Sequence, residues 1–272
     1  MNLEPNSEDD LRQHQYRDAS NLKARIRLHK LFTIAAESWE DFMLSNLHLL
    51  SEETVLELGC GNASQTRHNR YAYPTSLHYF LSDFSFGMMQ EAILEMQDDA
   101  RFTFSVQDAQ ALAFPDSSFD CVTANHMLYH VPDIQIALLE VYRLLKPGGR
   151  LIAATNGQDH MWDLDQLLQS VLPGNTPWHS FHSRFTLESG ASLITSVFGN
   201  CRKILYPSEL WVTEAKPLAD YVISLAGIDD NPTHMTSEEL TRNFQRLIDL
   251  QGGIRIRKSS GLLLTIKQPL SV

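Results

Sequence analysis

Along this chain the apolar positions switch between the spacing of amphipathic helices and the short, near-continuous runs of buried strands. From Asn21 to Phe32, NLKARIRLHKLF sets Leu22, Ile26, Leu28 and Phe32 on or near one helical face, and a second helix is predicted over Ser38 to Leu49. Beyond Ser51 come the apolar runs VLEL, LHYFLSD, FTFSV, FDCVTAN and GRLIAAT, separated by helical stretches such as FGMMQEAILEMQ and IQIALLEVYRLLK. Strand and helix in alternation predict a parallel sheet with right-handed crossovers. Pro147-Gly148-Gly149 is expected to stop the helix before the fifth strand.

The later chain is less regular. Asn156 to Arg184 holds Pro173, Gly174, Pro177, three histidines and two tryptophans, and reads as a helix, MWDLDQLLQSV, followed by a loop. Its place after the fifth strand predicts a lid over the sheet edge where ligands bind. Helices are then expected for TLESGASLITSVF, KPLADYVISL and SEELTRNFQRLIDL, one strand for KILYPSELWV, and a kinked strand or hairpin for IRIRKSSGLLLTIK.

The chemistry gathers in VLELGCGNASQ, Val55 to Gln65, where a buried strand runs through Glu57 into Gly59 and Gly61 and then into a polar helix start. Glycines let the backbone turn sharply and approach a ligand that a Cβ would block. Asp83 closes the second strand and Asp108 follows the third. Acids after successive strands, beside such a turn, suit a ligand with a ribose, an adenine and an amino-acid tail. A nicotinamide or flavin dinucleotide site wants a third glycine at position 64, where this chain has Ser64.

With FPDSSFDCVTANHMLYHVPD and LLKPGGRL following, the sequence resembles the class I S-adenosylmethionine (SAM) dependent methyltransferases, in particular the small-molecule group that includes the ubiquinone/menaquinone methyltransferases. The likeness is strong from Ser51 to Ala154 and weaker to the C-terminus. It implies an α/β fold: a Rossmann-like seven-stranded sheet, last strand antiparallel, flanked by helices. Residues 21–272 would form one domain, with cap helices over 21–50 and the lid over 156–184; residues 1–20 are expected to be disordered.

The resemblance implies SAM as cofactor. Gly59, Cys60 and Gly61 would line its methionine moiety and Glu57 would help orient the aminoacyl group. Asp83 would accept both ribose hydroxyls. Phe84 and Met88 would lie near the adenine, Asp108 would accept its exocyclic amine, and the Ala109 amide would donate to a ring nitrogen, with Gln110 assisting. Asn125 would lie near the sulfonium. The family often has a glycine near position 63; Ala63 here predicts a reshaped turn rather than a lost site. On the acceptor side, His126, Tyr129, His130 and His160 are the candidates, since a neutral histidine takes a proton near pH 7. The plainer reading of Tyr129 and His130 is that they pack or orient the cofactor. No HxH or HExxH pattern supports a metal, and none is expected.

Composition narrows the acceptor. A formal net charge of −11 opposes a nucleic-acid substrate. The basic clusters Lys23 to Lys30 and Arg255 to Lys258 read as solvated faces, without the interleaved aromatics used for base stacking. No apolar run approaches the length of a membrane span. The polar, acidic N-terminus reads as neither signal nor transit peptide. Cys60, Cys121 and Cys201 lack metal spacing and suggest a reduced cytoplasm. The expectation is a cytoplasmic methyltransferase, monomer or homodimer, acting on a small organic molecule. An RNA or protein methyltransferase, and a SAM-binding protein without transfer, remain as alternatives.

Overall fold

The computed structural model describes residues 20–96, 98–171, 184–226 and 236–269. The chain divides into two units: residues 37–158, 181–206 and 260–272, and residues 1–36, 159–180 and 207–259.

The first unit holds a seven-stranded sheet. In chain order its strands are β2 (Thr54–Leu58), β3 (His78–Asp83), β4 (Phe102–Val106), β5 (Phe119–Asn125), β6 (Leu145–Asn156), β7 (Arg202–Leu205) and β10 (Ser260–Ile266). They lie in the order β4-β3-β2-β5-β6-β10-β7, with β2 to β6 parallel and β10 antiparallel to both its neighbours. Both faces of the middle strands are buried, which is why their sequences run apolar without alternation. Helix α5 (Ile134–Leu144) shows the packing logic. Asp133 caps it by accepting the Ile136 amide at 3.1 Å, and Ile134, Ala137, Leu138, Val141 and Leu144 form its buried stripe. Helices α2 (Trp39–Leu47), α3 (Ser64–Asn69), α4 (Phe86–Met96) and α7 (Ser189–Phe198) complete the unit among its described residues.

The second unit is built on a three-stranded antiparallel sheet, in the order β1 (Thr33–Ala35), β8 (Ser208–Val212), β9 (Ile254–Arg257). Helices α1 (Ser20–Phe32), α6 (Trp162–Val171), α8 (Ala215–Ala226) and α9 (Ser237–Gln251) bury Leu28, Leu164, Leu218, Val222, Leu240 and Phe244 in a core of its own. A reciprocal Thr236–Glu239 capping box starts α9.

Three expectations need correction. The helix α5 ends at Leu144, earlier than expected, and Pro147 to Gly149 lie inside β6 rather than between helix and strand. The residue before a proline disfavours helical backbone, so the break falls earlier. The strand expected over 203–212 is two strands, β7 and β8, which part at Tyr206–Pro207 and join different sheets. The C-terminal segment likewise divides at Lys258–Ser259 into β9 and β10. The predicted helix over 38–49 is α2, and by chain contacts it groups with the large sheet, not with α1. Residues 1–19 and, within the expected lid, 172–183 lie outside the described residues. Among the described residues no helix is long and apolar enough to cross a membrane.

Candidate functional site

The sheet order reverses between β2 and β5, and in open α/β sheets ligands bind beyond the carboxyl ends of the strands at such a point. The turn after β2 lies there. Gly59, Gly61 and Ala63 all adopt left-handed backbone, with φ of 62°, 56° and 56°. Glycine takes this conformation freely; for Ala63 it costs roughly 1–2 kcal/mol. The turn is pinned by hydrogen bonds: the Cys60 amide to the Ser82 carbonyl at 2.9 Å, and the Ala63 amide to the Cys60 carbonyl at 2.9 Å. A Cβ on Gly59 would come within 2.6 Å of the Met127 Cβ, so the segment after β5 sits directly against the turn.

Three acids line up on β2, at the end of β3 and just past β4. Glu57 is only 3% exposed, and its Oε2 accepts from the Thr66 hydroxyl and, at 3.1 Å, from the Tyr79 hydroxyl. Burial pushes its carboxyl up to about 7, against the pull of those two bonds. Its Oε1 makes no hydrogen bond with a described residue. Asp83 accepts the Gly61 amide on Oδ2 and the Ser85 amide on Oδ1, each at 2.8 Å. Burial raises its carboxyl, and the amides, with that of Phe84, oppose the shift. Each oxygen retains a second lone pair for a ligand hydroxyl. Asp108 spends Oδ1 on the Gln110 amide at 2.8 Å, and its Oδ2 is bonded to no described residue. Gln110 in turn accepts the Asp133 amide at 2.9 Å, tying this loop to the start of α5.

Among the described residues, buried polar atoms near the reversal point without a hydrogen-bond partner include Oδ1 of Asn125, at the end of β5, and Oδ1 of Asn62, in the glycine turn. Buried polar groups are nearly always paired, so orphans beside a glycine turn fit a polar ligand. Cys60 and Cys121 are buried, and burial raises both thiols, Cys121 to about 12. Phe84 is half-buried, whereas Met88 is 1% exposed and sits in the core. Ala109 is buried beside Asp108.

The acceptor candidates separate into groups. His126 has left-handed backbone, φ 54°, uncommon for a non-glycine residue, and its amide donates to the Ala154 carbonyl at 3.1 Å. Its ring meets Trp39 at 5.2 Å between centroids. Tyr129 and His130 instead pack edge-on against each other at 4.5 Å, and Tyr129 rests on the sheet's core. His160 belongs to the other unit, where it is buried, lies 6.2 Å from the ring of His29, and has Nδ1 at 2.9 Å from the Ser259 carbonyl. Among the described residues no cluster of three metal-ligating side chains exists. Sequence reading missed Asn62, Thr66 and Tyr79 around the turn and Trp39, Phe42 and Tyr206 near His126. Only Asn62 and Thr66 had a local signal, as polar residues within or just after a glycine turn.

Known proteins agree with this geometry. Residues 56–153 match the family model described as a methyltransferase domain. The demethylmenaquinone methyltransferase of Lactiplantibacillus plantarum is 32% identical over 123 residues, 44% of this chain and 52% of that protein. The ubiquinone/menaquinone biosynthesis C-methyltransferase UbiE of Methylococcus capsulatus is 31% identical over 146 residues, 53% of this chain and 56% of that one. The chain thus spans about half the length of these curated relatives. Among solved structures, phosphoethanolamine N-methyltransferase 2 of Haemonchus contortus, in complex with SAM, superposes with a TM-score of 0.59 at 17% identity, covering 96% of this chain and 60% of that one. Residues 56–153 thus match a methyltransferase domain, on a fold that the solved methyltransferase structures share, and over that stretch the chain is similar to the class I SAM-dependent methyltransferases.

Proposed function

We propose that the chain is a SAM-dependent methyltransferase whose acceptor is a small organic molecule. The observation that carries the reading is the set of acids on and just beyond β2, β3 and β4, gathered around a left-handed glycine turn at the reversal point. Asp83 would hold the ribose hydroxyls with the lone pairs left by Gly61 and Ser85. Asp108 Oδ2 would accept the adenine amine, with the Ala109 amide donating to the ring and Gln110 steadying the loop. Phe84 offers an accessible ring beside them, and Met88 supports it from the core. Glu57 Oε1 would accept from the aminoacyl ammonium. Gly59, Cys60 and Gly61 would present main chain to the same moiety, and Asn125 Oδ1 a further acceptor.

Bound SAM would supply an activated methyl group on a positive sulfur. The chain's own residues then place an acceptor in line, exclude water and, where the acceptor loses a proton, take it. His126 is the first candidate for that base, because it directly follows β5 and precedes Met127, which packs against the turn at Gly59. His130 and Tyr129 are next, in a packing or orienting role, and His160, buried in the second unit, is the last candidate. We further infer a cytoplasmic enzyme, monomer or homodimer, whose cofactor site is held by the unit that carries the seven-stranded sheet. The acidic charge supports a small molecule over RNA.

The test is a methyl-tritiated SAM assay on three pools: metabolites, bulk RNA and protein. Label in the metabolite fraction is the expected result. Label in RNA or protein alone would contradict the acceptor class, and SAM binding without label in any pool would contradict transfer itself.

A further inference from the structure

The two oxygens of the buried Glu57 carboxyl are held unequally. Oε2 accepts from the Thr66 hydroxyl, carried by α3, and from the Tyr79 hydroxyl of β3 at 3.1 Å. Those two donors use both lone pairs of that oxygen, while Oε1 bonds to no described residue. Both donors are fixed by packing. Thr66 and Tyr79 are 0% and 2% exposed, and the Tyr79 ring stacks on Tyr73 at 5.5 Å and meets Phe102 at 5.6 Å. The titratable groups that act on Glu57 or on these partners are Asp83, Tyr73, Tyr79, Cys60 and Cys121. Burial raises both phenols and both thiols, which keeps them neutral, and Asp83 is itself an acid. None of these groups is a cation, and a buried carboxylate is costly to ionise without one.

Resting on the reading that this site holds SAM, we infer that Thr66 and Tyr79 are positioning residues: by saturating Oε2 they reserve Oε1 for the aminoacyl ammonium, and uptake of the cofactor drives a proton off Glu57 into solvent. The protonated carboxyl shows why. A proton on Oε2 would displace one of two fixed donors, so it sits on Oε1, where the ammonium needs a lone pair. Cofactor and proton therefore compete for one oxygen. On binding, the Oε1–H bond breaks, its electron pair stays on Oε1, and the proton passes to water or buffer. Burial holds this carboxyl up at about 7, which puts the exchange close to neutral pH. The ammonium then brings the positive charge that the surrounding side chains do not supply. Asp83, by contrast, would serve uncharged ribose hydroxyls, with main-chain amides already on both its oxygens. The coupling belongs to the amino-acid end of the cofactor.

The test is calorimetry of the full chain between about pH 5.5 and pH 8, in two buffers of different ionisation enthalpy. The probes are S-adenosylhomocysteine and methylthioadenosine, which has the same ribose and adenine but no amino-acid tail. At about pH 6 the ammonium of the first probe is already charged. Wild type should therefore release about one proton on binding S-adenosylhomocysteine and none on binding methylthioadenosine. Affinity for the first should fall about tenfold per pH unit below 7, while affinity for the second stays level. Glu57→Gln should release no proton and show no such fall. Tyr79→Phe and Thr66→Val each remove one donor to the ionised carboxyl, so in each the fall should begin about one pH unit higher, with methylthioadenosine affinity unchanged. Absence of proton release, the same pH profile for both probes, or a fall that stays in place in either donor variant would overturn the inference. Where one variant does not fold, the other decides. Should wild type bind neither probe, the cofactor reading fails, and the carbon-13 resonance of the Glu57 carboxyl tests the positioning by itself: its titration midpoint must rise in the donor variants, and an unmoved midpoint overturns it.

Discussion

The turn after β2 and the face after β5 sit on either side of the sheet's reversal point, yet they are built by opposite means. The turn is local: between Glu57 and Thr66 the chain supplies its glycines, its buried acid and that acid's first hydroxyl partner, and Asp83 locks Gly61 from the neighbouring strand. Its contacts are hydrogen bonds between main chain and carboxylates. The face is assembled from residues 39, 42, 126 and 206, and its contacts are ring on ring. A cofactor shared by a whole family asks for the same donors and acceptors each time, and a short motif can carry them. An acceptor that differs from enzyme to enzyme asks for a shape, which tertiary packing can vary without touching the motif.

Disturbing the turn should give the largest effect. Gly59→Ala places a Cβ 2.6 Å from the Met127 Cβ on left-handed backbone. The two costs together should be about 2–4 kcal/mol. Urea unfolding would measure the loss, and Met127→Ala in the same chain should recover part of it. An unchanged midpoint would show that the turn is not held against β5.

Glu57 offers a test by pH. Its folded carboxyl titrates at about 7 and its usual value is 4.5. Between these the folded chain keeps a proton that the unfolded chain has lost. The stability this group contributes is therefore complete below the lower value and is lost as pH rises through the upper one, by about 3 kcal/mol in all. Glu57→Gln does not titrate. Relative to that variant, wild type should lose this amount between roughly pH 4.5 and pH 7.5. A difference constant with pH would contradict the burial argument.

On the face after β5, His126→Ala should keep cofactor affinity and lose on the order of 10²-fold in kcat, about 2.7 kcal/mol, if the acceptor gives up a proton to that ring. The wild-type rate should also fall below about pH 6.5, where an ordinary histidine protonates. A near-normal rate with a flat pH profile would make this side a placement device alone and would sharpen the contrast with the turn.

That contrast also explains what could be read from the sequence. Strands β2, β5 and β6 were legible because buried parallel strands are apolar on both faces. Glu57, Asp83 and Asp108 were legible because strand ends and glycine turns mark themselves in the order of residues. The break at Tyr206–Pro207 was hidden because KILYPSELWV has one continuous strand-like pattern while its halves join separate sheets. Trp39 and Tyr206 were hidden for a related reason. Each looks like an ordinary core aromatic until the fold sets it beside His126, and nothing in the local pattern of either residue encodes that meeting.

The central claim is that the acids on and beyond β2, β3 and β4 hold SAM. Calorimetry of wild type and Asp83→Ala with SAM and with NAD tests it most directly. Wild type should bind SAM and not NAD, and Asp83→Ala should bind SAM more weakly by about 1.5–3 kcal/mol, with an unchanged far-UV circular dichroism spectrum. Binding of NAD without SAM, or full SAM affinity in Asp83→Ala, would contradict it.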